Sequence, residues 1–343
     1  MEMSNNQDLS YQKKVWIKGG IYALIIVTLL LFKALVSLLL LVFASVLLTI
    51  YFYGFAGLFQ KHFNWSPRVS IITAIILNVL LLIVFFWFVG ARIQQQVAEL
   101  SDTLPSTIQK AKDQISQTPI GNRLVQHFSS SGESQKAAGI IKSFFSSSFG
   151  ILSDLYIIIL LTSFFTATPS SYKKGLIKLL PAKARDKGTD LVNRISILLK
   201  KWIKGQIFGI FFIAVLTGIG LLILGMPLVL TLALIAGLLN FIPNIGPLIA
   251  LIPAVLIALT KGTTTALIIV GMYTLIQVIQ SAVTQPLIQK KMISIPPALI
   301  IIGQVGLGAL TGFWGVLLAT PLVAILMTII QDLYIKKQDS QAG

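Results

Sequence analysis

Between Gln206 and Ile330 the chain has no Asp, Glu or His, yet one apolar stretch there reads YTLIQVIQSAVTQPLIQ. Its Thr274, Gln277, Gln280, Ser281, Thr284 and Gln285 fall within one arc of about 140° at 100° per residue. Amides and hydroxyls donate and accept hydrogen bonds without titrating near neutrality, so this face can bind a polar group but cannot carry a proton. It either lines a solute path or bonds to neighbouring helices, the latter worth about 0.6 kcal/mol per contact. Six polar groups on one face exceed what helix association needs, which favours the path.

A second candidate is LLNFIPNIGPLIALIPAVLIAL, residues 238 to 259. Proline removes a backbone donor and clashes with the preceding turn, and lipid offers no replacement hydrogen bonds. Asn240, Pro243, Asn244, Gly246 and Pro247 therefore predict a break whose free amides and carbonyls serve a site. A third, GQVGLGALTGFWG, contributes Gln304, Gly306 and Gly308. Its glycines have the spacing of close helix packing, and no lysine follows them as a phosphate loop would require. Asp154 is the only carboxylate inside a predicted span, which makes it the one candidate for ion coupling. Paired carboxylates, a His/Glu zinc cluster and a serine with a buried His all lack their residues here. We read no enzyme, no metal site and no cofactor.

These residues need elements to hold them. Hydrophobic residues form 55% of the 343 and charged residues 11%, with a mean hydropathy of +0.87, which defines an integral membrane protein. With zero cysteines there is neither disulfide nor thiol chemistry. The net charge of +16 could suggest nucleic acid. Its basic residues instead flank apolar runs, where they orient helices and meet anionic headgroups, so no nucleic-acid partner is expected.

A crossing takes about 20 residues. The run from Val15 to Phe55 is about twice that, and we divide it at Lys33 into two helices. The start resembles a signal peptide, but no small-residue cleavage site follows. A third span runs from about Val69 to Gly90. In the polar segment that follows, Ile93, Val97, Leu100, Leu104, Ile108, Ala111 and Ile115 form a helical seam, for self-association or for packing on its own subunit. A fourth span runs from Phe149 to Ala167. The next loop, 169 to 205, holds ten Lys or Arg against two Asp, while 92 to 148 holds six against four, so the loop is assigned to the cytoplasm. In DLVNRISILLKKWIK, Leu191, Ile195, Leu198, Leu199 and Trp202 share a face, as in a helix lying on the membrane surface. A fifth span covers Gln206 to Leu224.

Residues 228 to 260 and 296 to 332 would each be a helix of roughly 50 to 55 Å, too long for one crossing and too short for two with a turn. Both are interrupted near the middle, so each is predicted to be a re-entrant hairpin. With the span Thr264 to Ile288 between them, this keeps Lys290, Lys291, Lys336 and Lys337 in the cytoplasm and makes an inverted repeat, a common transporter plan. The expected organisation is an N-terminal three-helix membrane region (1–91), an extracytoplasmic helical segment (92–148), a fourth span with a basic cytoplasmic loop (149–205), a transport core (206–332) and a cytoplasmic tail (333–343). The fold class is thus an all-α, multispan helical transporter, multi-pass in the cell membrane, with both termini cytoplasmic.

FIPNIGPLIALIPAVLIAL (241 to 259), QVIQSAVTQPLI (277 to 288), SIPPALIIIGQVGLGALTGFWGVLLATPLVAIL (294 to 326) and LKKWIKGQ (199 to 206) together resemble the bacterial autoinducer-2 exporter family of membrane permeases. The resemblance is strong after residue 149 and weaker before it. It implies a homo-oligomeric permease of the cell membrane, associated with export of the furanone quorum signal or with cation/proton antiport. Where the family pattern often carries a glutamate, this chain has Gln280, which cannot titrate. The expected function is export of a small polar metabolite or autoinducer-2-like signal. A monovalent cation/proton antiporter or channel is the alternative, and a partner-binding scaffold, which needs no broken hairpins, is the third reading.

Overall fold

The computed structural model describes residues 2–84, 87, 148–243, 245–289 and 296–335, with side chains from 21 to 84, at 87, and from 153 to 243, 245 to 283 and 296 to 334. The 93 to 115 seam, Asn244, Lys290 and Lys291 lie outside the described residues. Among those described, every regular element is helical, and five helices are long and apolar enough to cross a bilayer.

Helix α1 (Glu2–Phe63) runs unbroken for 62 residues, about 93 Å at 1.5 Å per residue. The expected division at Lys33 is absent. A single lysine leaves the backbone hydrogen bonds intact, and the first proline of the chain is Pro67. The helix stops at Asn64, which turns left-handed with φ 53°, a conformation asparagine tolerates better than most residues. Pro67 then opens α2 (Pro67–Val84), where its missing N–H costs nothing. The Tyr51 hydroxyl donates to Asn78 Oδ1 of α2.

Helix α3 (Ser148–Ala167) packs on α1 through the fully buried Ser45. There Thr162 Oγ1 donates to the Ser45 carbonyl, and Tyr53 donates to the Thr166 carbonyl at 2.8 Å. After α3 the chain bends by 91° into α4 (Pro169–Lys178). Helix α5 (Arg185–Ile223) then runs for 39 residues, joining the amphipathic stretch and the fifth span into one rod.

This corrects the surface-helix expectation. Leu198, Leu199, Trp202 and Ile203 are buried, and most of this face packs with Leu40, Leu41 and Leu47 of α1 and Leu318 near the C-terminus. An apolar stripe on one helical face fits protein as well as it fits headgroups. Here protein occupies it.

The remaining chain forms two helical hairpins with a long helix between them in the sequence. Helix α6 (Val229–Leu239) and helix α7 (Ile245–Lys261) share a core with α5 and α8 (Thr263–Gln289) built on Leu221, Leu232, Ala254 and Ile269. Lys261 Nζ donates to the carbonyl of Gly225, so the end of the α6–α7 segment returns to where it began. The second pair is α9 (Pro297–Thr311) and α10 (Phe313–Ile330). A Cβ at Gly303 would lie 2.8 Å from Val323, and one at Gly308 would lie 2.6 Å from Val316, a register in which the two limbs run antiparallel. Extended to Tyr334, the second limb reaches 22 residues, enough to span the hydrocarbon. Arg194 of α5 pairs with Asp332 at 2.7 Å, which ties the amphipathic part of α5 to the chain's C-terminal end.

Candidate functional site

The two hairpins turn differently. The second turns at a single residue, Gly312, with φ +67°. Gly303, Gly306 and Gly308 stay inside α9, so the predicted tip residues Gln304, Gly306 and Gly308 lie on a limb. The first is interrupted over residues 240–244, and its break is buried, with Asn240 at 4% and Ile242 at 5% exposure.

A break of this kind leaves carbonyls without intrahelical partners, and here side chains from elsewhere meet them. Gln206 Nε2, on α5, donates to the Phe241 carbonyl at 2.9 Å. Gln304 Nε2, on α9, donates to the Pro243 carbonyl at 2.9 Å. Gln280 Nε2, on α8, donates to the side-chain oxygen of Asn240 at 2.7 Å. Three glutamines from three helices thus close on one five-residue interruption. One turn before Gln206, the Trp202 ring meets Phe241 edge to face at 5.5 Å.

The glycine and prolines of the motif acquire separate tasks. A Cβ on Gly246 would sit 1.8 Å from the Leu239 carbonyl oxygen, so α7 approaches the end of α6 more closely than any side chain allows. Pro247 falls in the first turn of α7, where no intrahelical N–H is required. Pro243 supplies the carbonyl that Gln304 caps and that the Ile245 amide also reaches at 2.8 Å.

The predicted stripe on α8 is divided. Gln280 reaches the break, and Gln277 is half-buried. Thr274 and Ser281 are exposed, and their hydroxyls donate to the carbonyls of Val270 and Gln277 on their own helix. Thr284 and Gln285 lie on α8 with side chains outside the described residues. Asp154 stands elsewhere: its Oδ2 accepts the indole N–H of Trp314 at 2.7 Å, anchoring the second hairpin beside its turn.

Gln206 was the residue missed as a site candidate. The available signal was a lone amide at the start of the apolar run QIFGIFFIAVL, next to a basic cluster that made it read as an interface residue.

Several buried polar atoms nearby have no partner among the described residues, including Gln280 Oε1, Tyr273 Oη and Thr217 Oγ1. Each such atom costs on the order of 1–3 kcal/mol while unpaired. Tyr273 and Gln280, two turns apart on one face of α8, and Thr217 on α5 place these acceptors and donors along the first hairpin's core. Removing a cap should have a comparable cost. Gln304→Leu and Gln206→Leu are each expected to destabilise the protein by about 1–3 kcal/mol in detergent unfolding, with Gln277→Leu well below them. Equal stability of all three variants would mean that the amide caps contribute nothing.

The helical hairpins, with an interrupted one held by polar side chains between membrane-length helices, define a multispan membrane protein of transporter architecture. The chain belongs to the family described as "AI-2E family transporter", whose profile matches residues 21–335. It is 30% identical over 158 residues to the "Putative transport protein YrrI" of Bacillus subtilis (strain 168), covering 46% of this chain and 45% of that protein. The "Putative transport protein YueF" of the same organism is 27% identical over 190 residues, covering 54% and 52%. A "Putative transport protein" of Thermotoga maritima is 24% identical over 277 residues, covering 79% and 82%. The matches to the two Bacillus proteins span about half the length of each. The family and these names indicate transporters.

Proposed function

We propose that this chain is a permease for a small polar solute of the autoinducer-2 type, working in the direction of export, with solute passing between the broken α6–α7 hairpin and the α8 face. One observation carries the reading: three glutamine amides close on the break while Gln280 Oε1 is buried without a partner among the described residues. A hydroxyl-bearing solute can satisfy that oxygen, and its hydroxyls can take the place of the amides on the carbonyls of Phe241 and Pro243. The exchange keeps the carbonyls of Phe241 and Pro243 paired, which lowers the cost of opening the hairpin. No group between Gln206 and Ile330 titrates near neutrality, and Asp154 is engaged by Trp314, so the reading is of uncoupled movement.

The test is flux of polyhydroxylated furanones and polyols in proteoliposomes, with and without proton or sodium gradients. We expect flux that ignores both gradients and is flat between about pH 6 and 8. Asp154→Asn keeps an acceptor for Trp314 and should leave flux unchanged. A steep pH dependence that Asp154→Asn abolishes would overturn this reading in favour of cation/proton antiport.

The same reading makes both hairpins re-entrant and both termini cytoplasmic in the cell membrane, with subunits associating through the 93 to 115 seam. Because the chain has zero cysteines, single cysteines replacing Ser130, Lys187 and Lys291 report topology directly. They should label from outside, inside and inside respectively. Outside labelling of Lys291→Cys would replace the hairpins with simple crossings.

A further inference from the structure

Helix α4 has no role in the transport reading, and its placement is unusual. It leaves the end of the apolar α3 at 91°, with Pro169 at its first position after Thr168. Phe165 of α3 and Tyr172 of α4 brace the corner, edge to face at 4.8 Å. At the far end Arg185 donates to the carbonyls of Leu180 and Lys178, at 3.3 and 3.4 Å. Lys173 donates to Asn193 of α5. The helix is thus fixed at both ends and along one side, yet it buries none of its residues.

Its two free sides differ. Tyr172 and Leu176, four apart, lie one above the other and continue into Leu179 and Leu180. Leu176 is 56% exposed and Leu179 is 82% exposed. Lys174 and Lys178, also four apart, fall roughly 160° away on the helical wheel, and both are exposed. Lys183, Arg185 and Lys187 are exposed immediately after it, with Asp186 and Asp190 as the acidic residues of the region.

We infer that α4 is a lipid-binding element seated in the headgroup layer of an anionic phospholipid leaflet, with Tyr172, Leu176 and Leu179 towards the acyl chains. Lys174 and Lys178 then reach towards the phosphates. Geometry sets the level at which the helix can lie, and its lysines hold it there when the leaflet is anionic. If α3 crosses the bilayer, a helix at right angles to its end lies in the membrane plane where the crossing stops. An amphipathic helix at that level buries its apolar face about 5–10 Å below the headgroup boundary. Charge selects the lipid, since basic residues at a leaflet surface favour anionic headgroups. The inference is independent of what the protein transports.

The chain, which has zero cysteines, is suited to a direct test. Spin labels at Leu176→Cys and Lys174→Cys would be compared in phosphatidylcholine vesicles with and without phosphatidylglycerol, by accessibility to oxygen and to a neutral water-soluble nickel complex. With phosphatidylglycerol present, the Leu176 label should face lipid and the Lys174 label should face water. In phosphatidylcholine alone the lipid-facing population at Leu176 should fall about fivefold for each lysine interaction lost. Lys174→Gln with Lys178→Gln should reproduce that fall in the anionic vesicles. Four results would overturn the inference: a water-facing Leu176 label, two equally lipid-facing labels, a Leu176 label shielded from both reagents by protein, or a depth indifferent to lipid charge. A label at Leu179→Cys reads the same side should the Leu176 variant fail to assemble.

Discussion

Gly246→Ala is expected to abolish transport and to destabilise the protein by about 3 kcal/mol or more, the upper end of what an unaccommodated methyl group costs. The new Cβ would lie 1.8 Å from the Leu239 carbonyl oxygen and 2.6 Å from its carbon. Backbone cannot rotate away as a side chain can, so α6 and α7 must separate at the break. That separation would draw Asn240 from Gln280 and the Pro243 carbonyl from Gln304, undoing caps that reach across three helices. Gly306→Ala is the control, because a Cβ there meets nothing within 4 Å. Its helical backbone should gain up to about 1 kcal/mol from alanine's higher helix propensity. Flux and detergent unfolding measured on both variants decide the matter: a Gly246→Ala protein as stable and active as the parent removes the close approach from the argument.

Gln280→Glu should make both stability and flux depend on pH. Protonated, the new carboxyl can donate to Asn240 Oδ1 as the amide does at 2.7 Å. Ionised, it loses that donor and faces another oxygen, while burial already penalises its charge. Both effects raise its native pKa above the unfolded value of about 4.3. For a carboxyl raised in this way the protonated native state is the favoured one. The variant therefore matches the parent in stability below about pH 4.3 and loses stability as pH rises from there to the raised native value, by about 1.4 kcal/mol for each pH unit between the two. Across that window the break should loosen and flux should change steeply with pH, levelling off above the raised native value. Unfolding and flux measured from pH 4 to 8 test this; parallel curves for parent and variant would show that Gln280 does not hold Asn240.

How much of this was legible depended on how local the cause was. The interruption at 240–244 follows from helix length against bilayer thickness and from Pro243 and Pro247, all readable along one stretch of chain. Gln304, Gly306 and Gly308, the residues expected at the tip of the second hairpin, lie before its turn, because glycines spaced for close packing need not break a helix. A glycine costs only about 1 kcal/mol inside a helix, and in that hairpin Gly312 is the residue that adopts a positive φ. The surface-helix assignment of the stretch around Trp202 failed because an amphipathic pattern records that a face is covered and not what covers it. The membrane-surface pattern is instead matched by α4, whose Leu176 and Leu179 are exposed. Gln206 and Gln304 could not be assigned as caps from sequence, since a capping relation joins positions that nothing in the chain's local pattern connects. Their partners lie 35 and 61 residues away.

Those separations set an order of events during synthesis. The chain emerges N-terminal end first, so when the break at 240–244 leaves the ribosome only Gln206 already exists. Gln280 follows Asn240 by 40 residues, and Gln304 follows Pro243 by 61. At about 5–20 residues per second, the Pro243 carbonyl waits roughly 3 to 12 s for its cap. Over that interval the Pro243 carbonyl has the Ile245 amide but not its second donor, and Asn240 lacks Gln280, so the half-made hairpin carries incompletely satisfied polar groups that hydrocarbon disfavours. The nascent break must therefore be sheltered by water, by the insertion machinery or by α5 until α8 and α9 arrive, and the membrane integration of this protein is completed from its C-terminal end.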